Sequence, residues 1–159
     1  MNSKEIYENV NRIVEKLESM AVPMNIKEFT KEEYRKVFPQ GIVKTPIGDV
    51  KIGKNQFEKM AEKDNGKRKG LILAMQQTLS DPIVIIQEEK DGRKAYLFLK
   101  SFKTDEKTSI VVSVVVTIEN RKIVISTYKR KKREILKKIK IAGVMTYEKG
   151  HGASLTNGN

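Results

Sequence analysis

The chain has 159 residues, of which 38% are hydrophobic, and this predicts one compact domain rather than a disordered chain. It has no cysteine, which excludes disulfide bonds and thiolate metal sites. Its formal net charge of +12 favours a polyanionic partner, with nucleic acid the first candidate and acidic lipid or protein the second. No apolar run approaches the roughly 18 residues of a membrane span, and the N-terminus has no signal-peptide core, so we expect a cytoplasmic protein.

The N-terminal part of the sequence predicts two helices. Residues 3–20 place apolar side chains at helical spacing, and Pro23 ends the pattern. A shorter helix is predicted within 27–38, which contains the Thr-x-x-Glu spacing of a capping box. The charges here are mixed and include no basic cluster, so we expect residues 1–40 to form a helical appendage to the main domain.

The main domain begins with a hairpin and a helical region. Residues 43–52 alternate loosely, as a hairpin or an edge strand does. Residues 55–64 have the pattern of a short helix, and residues 69–79 have the pattern of a central helix. The apolar stripe of this central helix consists of Leu71, Ile72, Met75 and Leu79.

After the central helix the hydrophobic period changes to two, which is typical of strands. Four strands are predicted, at 83–88, 94–103, 109–118 and 122–129. Their connections are short, and short connections favour an antiparallel meander because parallel strands need long crossovers. Helices followed by strands predict an α+β fold, with the four-stranded antiparallel meander inside a domain that covers residues 41–148.

The last predicted element is a basic C-terminal helix over residues 130–141. Within 129–140 there are eight basic residues and one acid, Glu134. The few apolar residues of this helix suffice to pack it on the sheet, so we expect no membrane binding. Residues 149–159 are polar and glycine-rich, which predicts a disordered tail.

Alternation along the strands predicts which side chains share a surface. Lys100 lies between two phenylalanines on one side of its strand, and Ser126, Tyr128 and Arg130 share one side of the last strand. If both sets occupy one open face, cations would meet phosphates and rings would stack on bases, as in single-stranded RNA binding. The alternative is that Phe98 and Phe102 are buried, which is the more common location of phenylalanine.

Five segments of the chain carry a family pattern: TPIGDVKIGKNQFEKM, KGLILAMQQTLSDPIVII, AYLFLKSFK, IVVSVVVTIENRKIVISTYKRKK and EILKKIK. Over roughly residues 42–147 the chain resembles the phage-borne barnase/EndoU/colicin/RelE-like nuclease domains of the BECR fold, and KSF and ISTYKR are the most specific motifs. The resemblance implies helices followed by a four-stranded antiparallel sheet. It also implies a toxin-like, metal-independent ribonuclease that needs no cofactor, cleaves tRNA or mRNA by 2′-hydroxyl attack and leaves a cyclic phosphate.

The resemblance implies part of the site, since Ser126 or Thr127 and Tyr128 lie where the family's strand motif would place them, and the cations of the site are predicted from their charge. The family's active-site histidines have no counterpart, because the only histidine, His151, lies in the tail. The chain is therefore similar to the branches that cleave with lysine, arginine and tyrosine. The predicted catalytic residues are Lys100, Ser126, Tyr128 and Arg130, and the predicted RNA-binding residues are Arg68, Lys69, Thr127, Lys129, Lys131, Lys132 and Arg133.

Each predicted residue has a chemical role in this interpretation. Lys100, crowded by Arg130 or Arg68, is the candidate base, since neighbouring cations favour the neutral form of a lysine. Tyr128 would orient the 2′-hydroxyl or act as the acid, and Ser126 would bind phosphate or base. Arg68 and Lys69 lie at the predicted N-terminal end of the central helix, where phosphate is favoured.

Two alternatives use the same charges without catalysis. The chain could be a nucleic-acid-binding module that has the basic groove but lacks the chemistry. It could instead be a phage interaction protein, which binds an acidic immunity protein or another phage protein. The nuclease hypothesis places the chain in the host cytoplasm, and the interaction hypothesis places it in association with phage.

Overall fold

The structure, a computed structural model, has mixed α and β elements in which strands predominate and form one curled sheet. None of the helices that it describes has the length and apolar composition that crossing a membrane requires. The described residues are 3–24, 36, 38–53, 57–59, 71–104, 107–131, 134 and 144–150.

In the described part of the chain, two long helices pack on the sheet, and both follow the apolar spacing of the sequence. Helix α1 spans Ser3–Ser19, against a prediction of 3–20, and helix α2 spans Ile72–Ser80, against a prediction of 69–79. Each helix buries its apolar stripe, as an amphipathic surface helix does. The buried apolar residues are Val10, Ile13, Val14 and Leu17 of α1 and Ile72, Ala74, Met75 and Leu79 of α2.

Eight strands form the sheet. In spatial order they run β2-β3-β7-β6-β5-β4-β8, and β1 pairs with β5 outside this path. The strands are β1 Val22–Pro23, β2 Ile42–Thr45, β3 Gly48–Lys51, β4 Val84–Lys90, β5 Arg93–Thr104, β6 Lys107–Ile118, β7 Arg121–Arg130 and β8 Val144–Glu148.

The predicted sheet of four strands is therefore too small. Strands β4 to β7 pair antiparallel in succession, and shorter strands extend the sheet on both sides of them. On one side β3 pairs with β7 in parallel, and on the other β8 pairs with β4. Strands of four or five residues carry little periodic signal, and their pairing with distant strands is a tertiary property that alternation does not reveal.

Several predicted elements fall partly or wholly outside the described residues. These are the short helices at 27–38 and 55–64, most of the basic helix at 130–141, and the tail after residue 150. The first residue of that predicted basic helix, Arg130, is instead the last residue of β7.

Two-residue turns join the central hairpins. Asp91-Gly92 connects β4 to β5, and Glu119-Asn120 connects β6 to β7. All four turn residues have positive φ, between 50° and 76°, which is the backbone geometry that matches the twist of antiparallel strands. Glycine, asparagine and aspartate tolerate this conformation best, so three of the four positions suit their residues locally.

The two faces of the sheet pack on different helices. The α2 face, defined by Ile85, Tyr96, Phe98 and Val115, shares a hydrophobic cluster with α2. The α1 face, defined by Val84, Leu97, Leu99, Val112 and Val114, shares a second cluster with α1. Both faces are therefore core over the centre of the sheet, and Phe98 and Phe102 are fully buried, as the alternative reading of the sequence expects.

A β-bulge in β7 changes the alternation of that strand. Val115 pairs with Val124, but Val114 pairs with Ser126, so Ile125 is an additional residue between the two pairs. Because paired residues share a face, Val124 lies on the α2 face, whereas Ser126 and the residues at even positions after it lie on the α1 face.

Helix α1 is bound to the sheet by polar contacts as well as by its apolar stripe. The hydroxyl of Ser101 in β5 donates to the carbonyl of Leu17. Glu148, at the end of β8, accepts hydrogen bonds from Arg12 and from Lys16 Nζ, the latter at 2.9 Å. The predicted appendage of residues 1–40 is therefore attached through α1, whose apolar side belongs to the core of the sheet.

We predict that Leu17→Ala destabilises the whole domain by about 2–5 kcal/mol, the usual cost of truncating a buried leucine. Leu17 is 1% exposed and lies in the cluster under the α1 face. Urea unfolding measures the loss, and Glu15→Ala, on the exposed side of the same helix, is the control and should change stability by less than about 0.5 kcal/mol. Equal stability of the two variants would contradict this packing.

The Glu148 ion pairs predict a pH-dependent stability. Burial by itself raises the pKa of Glu148, but the hydrogen bonds and charges of Arg12 and Lys16 outweigh burial and hold that pKa below its ordinary value. A carboxyl whose pKa is lowered by folding stabilises the protein fully above its unfolded pKa, about 4.3, and this contribution is lost as pH falls through the folded pKa.

We therefore expect Glu148→Gln to be less stable than the wild type at pH 7, with a difference that narrows below about pH 4.3. Unfolding free energies measured by urea titration from pH 3 to pH 7 test this. Parallel curves for the two proteins across that range would show that Glu148 does not titrate as described.

Candidate functional site

A step at one end of the sheet forms a groove. Strand β6 pairs with β5 down to Lys107, but with β7 only as far as Ile110, which faces Arg130. The β5–β6 pairing therefore extends past the last residue of β7, and Lys131 and Glu134, the described residues that follow β7, lie beside the extension. The resulting groove has a volume of about 670 Å³.

Cations and hydroxyls line this groove. The described residues that line it are Thr104, Lys107, Thr108, Ser109, Lys129, Arg130, Lys131 and Glu134. Of these eight described residues, four carry a positive charge and one carries a negative charge. All four cationic residues are exposed to solvent, so a dissolved ligand can reach them. A concave surface with this composition is suited to phosphate, since lysine and arginine neutralise its charge and hydroxyls donate hydrogen bonds to its oxygens.

Arg130 is held by three neighbours at the rim of the groove. Its guanidinium carbon lies 4.3 Å from the centre of the Tyr128 ring, a cation–π contact. Its Nη1 donates to the carbonyl of Lys129 at 3.2 Å, and its Nε lies 3.6 Å from Oε2 of Glu134. These contacts restrict the orientation of a side chain that is otherwise flexible.

Tyr128 and Ser126 do not line the groove. Tyr128 pairs with Val112, and its ring packs partly buried against the cluster under the α1 face. Ser126 pairs with Val114 on the same face, deeper along the sheet. Both of these hydroxyl residues, which the sequence motif predicts to be catalytic, therefore lie behind the groove lining, toward α1.

Lys100 lies on the α2 face and is 5% exposed. Its Nζ donates to the carbonyl of Asp81 at 2.9 Å and to the Asp81 carboxylate at 3.0 Å. The same carboxylate accepts two hydrogen bonds from Lys149, at 2.7 and 2.8 Å. Lys100 thus joins β5 to the turn after α2, and Lys149 joins the end of β8 to the same turn.

The pKa of Asp81 reflects these two lysines. Burial by itself raises that pKa, but hydrogen bonds from Lys149 and Lys100, with their charges, outweigh burial and lower it. Asp81 is therefore ionised at neutral pH and remains a partner for both ammonium groups. The geometry is that of a structural ion pair, since Lys100 is not among the groove lining residues.

The prediction that Lys100 shares one surface with Ser126, Tyr128 and Arg130 is wrong. The register pairs Lys100 with Val111 and Val111 with Lys129, which places Lys100 on the α2 face. The bulge at Ile125 moves the other three to the α1 face. Without that extra residue, regular alternation from Val124 would have kept all four on the α2 face, so the prediction failed at this single position.

The predicted RNA-binding residues divide into three groups. Lys129 and Lys131 line the groove, as does Arg130 from the predicted catalytic set. Thr127 is buried beside Ser113, with their hydroxyl oxygens 3.1 Å apart, so it is part of the core. Arg68, Lys69, Lys132 and Arg133 lie outside the described residues.

Sequence reasoning missed the part of the groove that comes from the β5–β6 hairpin. Thr104, Lys107 and Thr108 fall between two predicted strands, where polar residues are ordinary. A signal was present in the lengths of the strands, because β5 and β6 each have 12 residues whereas β7 has 10. Unequal neighbouring strands leave a step, but only pairing register shows at which end it lies.

Among the residues that the structure describes, no group of three or more histidine, aspartate or glutamate side chains is arranged to hold a metal ion. Among the described lining residues of the groove, Glu134 is the acidic one, and it faces Arg130. The charged groups described at the groove are thus mainly cations that can contact an anion directly.

Comparison with known proteins gives one match. The family model described as phage-Barnase-EndoU-ColicinE5/D-RelE like nuclease 2 (PBECR2) matches residues 24–148. None of the curated proteins and none of the solved structures compared with the chain matches it significantly. The matched range contains every described groove residue and excludes α1.

We predict that Lys100→Ala destabilises the protein by about 1–3 kcal/mol, because it removes two hydrogen bonds and the packing of a buried aliphatic stem. Urea unfolding measures the change. Lys103→Ala, an exposed lysine of the same strand, is the matched control and should stay within about 0.5 kcal/mol of wild type. An unchanged midpoint for Lys100→Ala would refute the structural role given to Lys100.

Proposed function

This chain belongs to the phage-Barnase-EndoU-ColicinE5/D-RelE like nuclease 2 family, and on that premise we propose that it is a phage- or prophage-encoded endoribonuclease of toxin type. Its substrate would be tRNA or mRNA in the host cytoplasm, and it would cleave without a metal ion or cofactor. The observation that carries the proposal is the groove at the end of β7, where four cations and three hydroxyl side chains surround a space open to solvent.

The groove supports phosphate binding on both of its sides. Lys107 comes from the β5–β6 hairpin, and Lys129 and Lys131 come from the end of β7 and the chain after it. Cations on opposite walls can neutralise a phosphate that lies between them, and the hairpin hydroxyls add hydrogen bonds to its oxygens. Binding of this kind is independent of base sequence and depends on salt concentration.

The chemistry proposed is in-line attack by the 2′-oxygen on the adjacent phosphorus. The 2′-oxygen–phosphorus bond forms, the phosphorus–5′-oxygen bond breaks, and the products are a cyclic phosphate and a 5′-hydroxyl. Arg130 and its neighbouring lysines stabilise the extra negative charge of the transition state. Glu134, an exposed carboxylate in the lining, takes the 2′-proton, and a groove lysine gives a proton to the leaving oxygen.

This assignment retains Arg130 from the four catalytic residues predicted by sequence. Lys100 is bound to Asp81, and Ser126 and Tyr128 do not line the groove. The same distribution favours a second candidate function, a nucleic-acid-binding module without catalysis, because half-buried hydroxyls behind the groove contribute no reacting group. Both candidates use the groove cations, so binding alone does not separate them.

Cleavage in EDTA separates them. We expect purified protein, incubated with tRNA or mRNA in excess EDTA, to produce fragments that end in 2′,3′-cyclic phosphate. Ligation of an adaptor specific for that end, followed by sequencing, maps the cleavage positions. A substrate with a 2′-deoxy nucleotide at a mapped cleavage position should bind but stay intact there, since the nucleophile is missing. Binding without cleavage of either RNA would favour the non-catalytic module, and cleavage of the 2′-deoxy position would exclude this mechanism.

The groove is tested in the same assay with paired double variants. Lys129→Ala/Lys131→Ala should reduce the slope of log binding constant against log salt by about 1.4, about 0.7 for each lost contact to a single strand. Lys44→Ala/Lys51→Ala removes the same charge from exposed positions of β2 and β3, next to the beginning of β7. If both double variants weaken binding equally, total charge rather than the groove binds the RNA.

A further inference from the structure

Tyr128 connects the groove to the core. One side of its ring carries the Arg130 guanidinium, 4.3 Å from the ring centre. The ring also packs against the cluster under the α1 face, in the row that Leu99 and Val112 form across β5 and β6. Neighbouring strands fix this row, so the ring offers Arg130 a support whose position is set by the sheet.

Arg130 needs such a support. It is the last residue of β7, and its side chain is 43% exposed. A free arginine in that setting would sample many rotamers, and each phosphate contact would cost the entropy of ordering them. Within the described part of the chain, its protein contacts engage Nε and Nη1 and one face of the group. A guanidinium has five N–H donors, so it retains donors for a phosphate.

We propose that Tyr128 is a positioning residue that holds Arg130 for phosphate through its aromatic ring, and that its hydroxyl does not transfer a proton in the reaction. This inference rests on the proposed function for its catalytic consequence. It differs from the role that the sequence motif favours, in which Tyr128 is the acid or binds the 2′-hydroxyl. The reason is geometric, since Arg130 lines the groove and Tyr128, two residues earlier on the same face, does not.

Glu134 completes the arrangement from the other side. Its carboxylate lies 3.6 Å from Arg130 Nε, and both side chains are close to half exposed. An exposed pair of this kind adds little stability, but its attraction favours guanidinium orientations that keep Nε toward the carboxylate. The ring supports the guanidinium from one side and the carboxylate attracts it from another, which together narrow the positions that Arg130 samples.

Three substitutions separate the ring from the hydroxyl. Tyr128→Phe keeps the aromatic face and removes the hydroxyl. Tyr128→Leu keeps apolar volume for the core and removes the aromatic face. Arg130→Lys keeps the charge and removes the planar group. Urea unfolding of each variant first establishes that the compared proteins are folded.

The first measurement uses the free protein and needs no RNA. In NMR spectra, the Arg130 Hδ and Hε protons should show an upfield ring-current shift in wild type and in Tyr128→Phe. The shift should disappear in Tyr128→Leu. Absence of the shift in folded wild type would overturn the positioning role, whatever the protein does to RNA.

The second measurement is cleavage of a short single-stranded RNA in EDTA. We expect Tyr128→Phe to stay within about twofold of wild-type kcat, and Tyr128→Leu to lose roughly 3- to 5-fold, the effect that a cation–π contact supports at an exposed site. In the Arg130→Lys background, Tyr128→Leu should cause no more than about a twofold further loss, because the group that the ring positions is already gone. The alkaline limb of the pH–rate profile should be the same in Tyr128→Phe and wild type.

The outcomes for this inference and for the proposed function are distinct. A Tyr128→Phe variant as inactive as Tyr128→Leu, or one that loses the alkaline limb, would overturn the inference and restore Tyr128 as the acid while the ribonuclease proposal stands. If wild type shows the ring-current shift but leaves RNA intact, the ribonuclease proposal fails, and the catalytic part of the inference fails with it. If the Tyr128→Phe variant keeps both the Arg130 ring-current shift and the RNA cleavage activity, the result supports the positioning inference and the ribonuclease proposal.

Discussion

One extra residue in β7 decides how the chemistry of this protein is arranged. The bulge at Ile125 lies between the pairs Val115–Val124 and Val114–Ser126 and reverses the facing of the strand that follows. Before the bulge, the side chain of Val124 lies on the α2 face. After the bulge, the side chains of Tyr128 and Arg130, at the following even positions, lie on the α1 face. The shift separates Lys100 from Ser126, Tyr128 and Arg130, whereas Lys129, which lies in the same cross-strand row as Lys100, still lines the groove.

The two cores also explain why the candidate site is at the end of the sheet. Helix α2 covers one face and helix α1 covers the other, so neither face offers an open surface at its centre. The groove lies instead at the end of the sheet, where β5 and β6 extend past the last residue of β7. The groove results from the unequal lengths of neighbouring strands. Much of its positive charge comes from Lys129 and Arg130, the last two residues of β7.

Ion pairing divides the cations of this basic chain into two groups. Asp81 binds Lys100 and Lys149, and Glu148 binds Arg12 and Lys16, so these four are used to join α1 and β8 to the rest of the structure. Among the described lining residues of the groove, there are one carboxylate and four cations. The structural pairs contain two carboxylates for four cations, so the described groove lining has the larger excess of positive charge, which favours an anionic ligand.

The sequence by itself determined the elements that depend on local physics. Period and turn chemistry located α1, α2 and the four long strands, because side-chain spacing and the φ preferences of residues such as Gly92 act within a few positions. Family motifs indicated a nuclease, and the basic run of the sequence contains Lys129, Arg130 and Lys131, which line the groove. The tertiary structure alone decided the eight-stranded pairing, the bulge at Ile125 and the burial of Lys100. Each of these depends on which residue of a distant strand lies opposite, and a β-branched isoleucine within an apolar strand gives no local sign of a bulge.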